Sequence, residues 1–224
     1  DDVLDGIVYG ALVGLGFAMT ENVFYFMSIL LDDGWGAWSL AIFLRSVIFG
    51  FNHAFFTSLV GIGLGLARTV RSREVRWGAP VVALGAAIVF HAVHNAGASL
   101  ASLNCLAMGV SLLADWGGFW IVVAIIILSW RQERRWIWEY LADEGISESD
   151  RRAALSARWR SRVWLRRPRG SRAAWRSAGE DYYQLLAELA FRKRRLARLG
   201  DEPGLREDIA RLRAQIREVQ RRKA

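Results

Sequence analysis

Residues 6–31 form an apolar run with Glu21 and Asn22 set in its middle. A helix that crosses the hydrocarbon core of a bilayer needs about 20 apolar residues, so the run is long enough to span. A charge near the centre of such a helix costs at least ~2.5–3.5 kcal/mol. Chains carry that cost where the group faces a bundle interior and does something there. Glu21 is therefore the first functional-site candidate, and the question becomes which other residues reach its depth. A hydrogen-bond clip between helices is the plainer alternative reading of Glu21 and Asn22.

Three further apolar runs follow. The second, 38–67, is too long for one straight span and is expected to divide into a short interfacial piece near 38–44 and a helix from about Arg45 that carries Asn52 and His53. The third, about 77–100, carries His91, His94 and Asn95, with Pro80 in its first turn, where a missing N–H costs little. The fourth lies within 105–130, with Asp115 near its start and Trp116, Trp120 and Trp130 as interfacial anchors. Between the first two runs stands an acidic turn, Asp32-Asp33-Gly34-Trp35-Gly36, and Arg45 is expected to snorkel to the interface or to pair with Asp32 or Asp33. Gly6, Gly10 and Gly14 recur every four residues, a small-residue face that lets a neighbouring helix approach closely.

Charge sets the orientation. Only five of the 30 Lys and Arg residues lie before residue 131, and four of those five fall in the loop 68–76. The positive-inside rule puts that loop and the basic tail in the cytoplasm, which agrees with the alternation of four spans in a plasma membrane. The expected fold is an all-α polytopic bundle of four spans over 1–130. A basic juxtamembrane segment, 131–179, and a cytoplasmic helical hairpin or coiled coil, 180–224, complete it. Residues 158–179, rich in Arg and Trp, are expected to be irregular. Leu205, Ile209, Leu212, Ile216 and Val219 form a heptad seam that suits self-packing or a homo-oligomer. The tail is read as drawn to anionic lipid headgroups, at ~1 kcal/mol per basic residue, rather than to nucleic acid. The single Cys105 excludes an intrachain disulfide.

Counting from the cytoplasmic ends of their spans at 1.5 Å per residue, Glu21, His53, His91 and Asn95 all lie roughly 20–28 Å deep. His91 and Asn95, four residues apart, share one helix face, and His94 is expected to support from beside them. A glutamate in a desolvated pocket can act as a general base or acid toward water. His53 and His91 could hold a divalent metal such as zinc or donate to a developing oxyanion, and the pattern leaves both open. Such parts serve peptide hydrolysis. They would also serve a proton-coupled transporter with Glu21 and the histidines as a relay. A non-catalytic scaffold acting through its tail is the third reading.

At these residues the chain resembles a known family. Gly16-Phe17-Ala18-x-x-Glu21-Asn22 with Tyr25, Phe49-x-x-x-His53 and His91-x-x-x-Asn95 are similar to the blocks of the PrsW-type intramembrane proteases. The last two also match the wider superfamily that holds the type II CAAX prenyl proteases and the Abi proteins. The resemblance covers about residues 1–100. It implies a multi-pass endopeptidase that cuts membrane-anchored proteins such as anti-sigma factors, with Glu21 and His91 required and His53 beside them; Asn95 is expected to fix His91 or the substrate carbonyl. The family also carries a Glu-Glu-x-x-Lys/Arg helix ahead of the first span seen here. No Glu-Glu pair occurs in this sequence, so the chain as given is expected to be inactive and a longer parent active.

Overall fold

A computed structural model of the chain describes residues 2–101, 103–162 and 173–223, with side chains over 2–101, 103–155 and 182–221. Among them the fold is all helical. The order is α1 (Val3–Phe43), a π-helical turn (Leu44–Ile48), α2 (Asn52–Thr69), α3 (Arg73–Leu100), α4 (Cys105–Tyr140), α5 (Glu148–Arg162), α6 (Ala173–Leu199) and α7 (Leu205–Lys223). Among the described residues three helical stretches are long and apolar enough to cross a membrane: Val3–Thr69, Arg73–Leu100 and Cys105–Tyr140. The first stretch covers both of the first two apolar runs and is broken at Gly34 and at the π-helical turn.

Gly34 adopts φ 79° and ψ −174° inside α1, a backbone conformation open essentially to glycine alone. It falls in the acidic turn read from the sequence, and the chain doubles back from it. Each four-residue step along α1 is met by a four-residue step back along α2. A methyl group at Gly6, Gly10 or Gly14 would overlap the backbone of Gly61, Thr57 and His53 in turn. The small-residue face thus brings α1 onto α2, and Ser58 Oγ donates to the Ile7 carbonyl at 3.2 Å between them.

Two sequence expectations shift. Ser72 caps α3, accepting from Val75 N at 3.2 Å, so the helix starts at Arg73 and Pro80 lies inside it rather than in its first turn. The helix carrying His53 starts at Asn52 instead of Arg45, because the π-helical turn intervenes and closes with Phe49 N donating to the Leu44 carbonyl at 2.9 Å.

The chain divides into two compact units, Asp1–Ser129 and Trp130–Ala224. In the first, Ile7, Phe55, Phe56, Ala87 and Val122 form a small core. Large apolar side chains such as Leu12, Phe24, Leu31, Val81, Val82 and Leu128 stay exposed. A water-soluble unit would bury such groups; a lipid-facing surface keeps them.

The second unit has a conventional core of Trp136, Ile137, Leu141, Tyr182, Leu186 and Leu189. Ser147 caps α5, accepting from Asp150 N at 3.1 Å. Gly200, φ 89°, separates α6 from the chain that leads into α7. The stretch expected to be irregular is helical to Arg162 and from Ala173, and 163–172 lie outside the described residues. Leu205, Ile209, Leu212 and Ile216 of the heptad seam are buried within this one chain, with Val219 packed beside them. Glu144 is clamped by Arg213 Nη2 at 2.6 Å and Lys193 Nζ at 2.7 Å. Burial raises its carboxyl, but the hydrogen bonds from Arg213 and Lys193 outweigh that and hold it below the ordinary carboxylate range.

Candidate metal centre

Glu21 sits on α1 two turns beyond Gly14, the point where α1 meets the His53 backbone. Its carboxylate meets two groups from the returning chain. Arg45 Nη2 donates to Glu21 Oε2, while Arg45 Nε donates to Asn22 Oδ1 at 2.7 Å. The same guanidinium lies 3.9 Å from the centroid of the Tyr25 ring. Arg45 therefore touches three side chains of one α1 face. It does so from a π-helical turn, a widened geometry common at functional sites. The interfacial pairing with Asp32 or Asp33 is replaced by this contact, because the chain reverses at Gly34 and lays Arg45 back against Glu21.

His53, from the first turn of α2, places Nε2 3.4 Å from Glu21 Oε2. No hydrogen bond joins them, and this buried nitrogen has no hydrogen-bond partner among the described residues. Its ring packs against Phe17 at 5.2 Å and meets the His91 ring edge-on at 5.2 Å. His91, from α3, is stacked on Phe56, with centroids 5.3 Å apart and planes 22° from parallel. One ligand atom each from Glu21, His53 and His91 lies within 4.8 Å of the other two. Three of the four residues matched in depth from the sequence thus converge. Asn95, one turn beyond His91, is exposed.

The donor set is two imidazole nitrogens and a carboxylate oxygen, which suits a catalytic zinc ion held by three protein ligands. A buried imidazole nitrogen without a hydrogen-bond partner also suits a metal ligand. The residues present fit a divalent metal.

Behind this triad lies a second polar cluster. Asp115, from α4, is fully buried; its Oδ2 lies 2.7 Å from His94 Nδ1 and accepts from Asn52 Nδ2 at 2.8 Å. With the His94 proton assigned to Nδ1, both neighbours donate to one carboxylate oxygen. Ser111 Oγ adds a bond to the His94 carbonyl at 3.4 Å. The cluster ties α2, α3 and α4 together next to His53 and one turn from His91, and His94 lies within it. Asp115 was not singled out for this role. The signal was present: it is the only acidic residue of its apolar run, and the cost argument that marked Glu21 applies to it equally.

A family model described as PrsW family intramembrane metalloprotease matches residues 1–130. Over 78 residues the chain is 35% identical to Protease PrsW of Bacillus subtilis (strain 168), covering 34% of this chain and 32% of that protein. The chain therefore spans about a third of the length of that relative. No solved structure matches. A family match over more than half of its length, on the region that builds the Glu21–His53–His91 cluster, means that this chain belongs to the PrsW family of intramembrane metalloproteases.

Proposed function

We propose that this chain carries the metal-binding core of an intramembrane endopeptidase that cleaves membrane-anchored proteins, anti-sigma factors among them. The observation that carries the reading is the convergence of Glu21, His53 and His91, from three separate helices, to within 4.8 Å. Glu21, His53 and His91 would hold the metal. A divalent ion bound there would acidify water and polarise a peptide carbonyl.

The protein's own contribution is position. Phe56 stacks on His91 and fixes its ring plane, while the Gly14 contact fixes the height of His53 against α1. Asn95, on the same face of α3, is open to a substrate carbonyl and can donate to it from its amide. The apolar flanks of α1 and α3 keep bulk water away from a bond under attack, which strengthens every polar interaction in the site.

The chain is read as crossing a plasma membrane four times, with α1 and α2 as an antiparallel pair reversing at Gly34 on the outer side. The loop 68–76 and the tail are then cytoplasmic, with the tail's basic residues toward anionic headgroups. The test is cleavage of a membrane-tethered reporter by the full-length protein in vesicles. His91→Ala is expected to abolish the product without changing the amount of enzyme in the membrane. Undiminished cleavage by that variant, or pH-driven flux with no cleaved product, overturns the assignment.

A further inference from the structure

We infer that Arg45 is the resident cation of the Glu21 site, and that a divalent metal gains the Glu21 carboxylate only by displacing it. The inference rests on the metal-binding reading above. Glu21 Oε2 is the oxygen that Arg45 Nη2 bonds and also the oxygen that faces His53 Nε2. One atom is therefore claimed from two sides, by a guanidinium already in place and by the ligand set that would surround an ion.

Charge balance gives the contest its direction. One carboxylate and one guanidinium in contact already offset each other's charge there. Adding a doubly charged ion beside Arg45 places like charges close together in a low-dielectric region, where their repulsion is strong. Binding is therefore weakened by Arg45 unless the guanidinium withdraws.

Two contacts besides Glu21 already hold the guanidinium. Arg45 Nε is held by Asn22 Oδ1 at 2.7 Å, and its guanidinium lies over Tyr25 at 3.9 Å. A cation over an aromatic face keeps a favourable contact even when partly desolvated. Arg45 can thus release Glu21 and remain anchored through Asn22 and Tyr25, so that the Glu21 contact alone is exchanged for the metal. The arrangement sets the affinity of the site from a residue that need not be a ligand.

The experiment is a zinc titration of the full-length protein in detergent, stripped of metal and competed against a chromogenic chelator. Arg45→Gln, which keeps a donor for Asn22 and removes the charge, is expected to bind zinc at least about tenfold tighter than wild type, the direction set by Coulomb repulsion. Arg45→Lys keeps the charge and is expected to stay within about threefold of wild type, although it loses the forked geometry. Glu21→Gln combined with Arg45→Gln should erase the gain. Arg45→Met, which retains an apolar stem over Tyr25, serves if Arg45→Gln is not recovered folded, and carries the same expectation. Equal or weaker zinc binding by the charge-removed variants overturns the role of Arg45 and leaves the metal reading standing. Tightening by Arg45→Lys equal to that by Arg45→Gln also overturns it. Zinc bound by neither wild type nor variant overturns the metal reading and this inference together.

Discussion

His53 Nε2 faces Glu21 Oε2 across 3.4 Å without a hydrogen bond between them. The two residues sit on different helices, and what sets their separation is a backbone contact two turns away. Gly14 lets α1 press on the His53 carbonyl, which fixes how far the imidazole reaches past α1. At that separation the two atoms are farther apart than an ordinary N–H···O hydrogen bond. Here the pair stays open beside His91, which leaves room for an ion between the three groups.

The glycine contact is expected to be specific. Gly14→Leu must drive α1 from α2 at His53, at a cost of about 1–3 kcal/mol for overpacking, and should abolish reporter cleavage. Gly16→Ala points its new methyl into open space and should leave stability within about 0.5 kcal/mol of wild type. Thermal unfolding in detergent and the reporter assay, run on both variants, check this. Equal effects of the two substitutions would remove the packing argument.

Asp115 is expected to matter for stability before it matters for chemistry. Asp115→Ala leaves His94 and Asn52 buried without their shared acceptor, costing about 1–3 kcal/mol. Asp115→Asn keeps an acceptor oxygen and should fall between the alanine variant and wild type. The midpoint temperature for loss of monodisperse protein orders the three. An alanine variant as stable as wild type would show that the cluster holds nothing together.

The second unit should soften in acid through Glu144. Its carboxyl titrates lower in the folded chain than the ordinary 4.5, because Arg213 and Lys193 outweigh burial. A depressed carboxylate contributes stability that is fully present above pH 4.5 and is lost as pH falls through the folded value. Glu144→Gln should flatten that acid limb and lower stability at neutral pH. Hydrogen exchange of α6 and α7 amides against pH reads the effect. An unchanged acid limb in the variant would place the sensitivity elsewhere.

The proximity of Glu21, His53 and His91 is legible in the sequence because helical rise is regular. Glu21, His53 and His91 could be matched by counting from charged span ends, without knowing which faces meet. What was not legible followed from departures from that regularity. The π-helical turn at Leu44–Ile48 carries no marked sequence signal, so the sequence points Arg45 to the interface and starts the helix carrying His53 at Arg45, where the structure starts it at Asn52. The pairing of Asp115 is not legible because its partners, His94 and Asn52, lie on helices whose rotation the sequence does not state. The heptad seam of α7 was correctly seen as apolar, but a seam does not say whether its partner comes from the same chain; here Leu205, Ile209, Leu212 and Ile216 are buried against their own neighbours.

The most direct measurement is the zinc content of the full-length protein, purified from membranes and compared across single substitutions. One zinc per chain is expected in wild type and in Asn95→Ala, falling by more than about tenfold in occupancy for Glu21→Gln, His53→Ala and His91→Ala, since each removes one of three ligands. Occupancy that is unchanged by all three of those substitutions would contradict a shared site built from Glu21, His53 and His91.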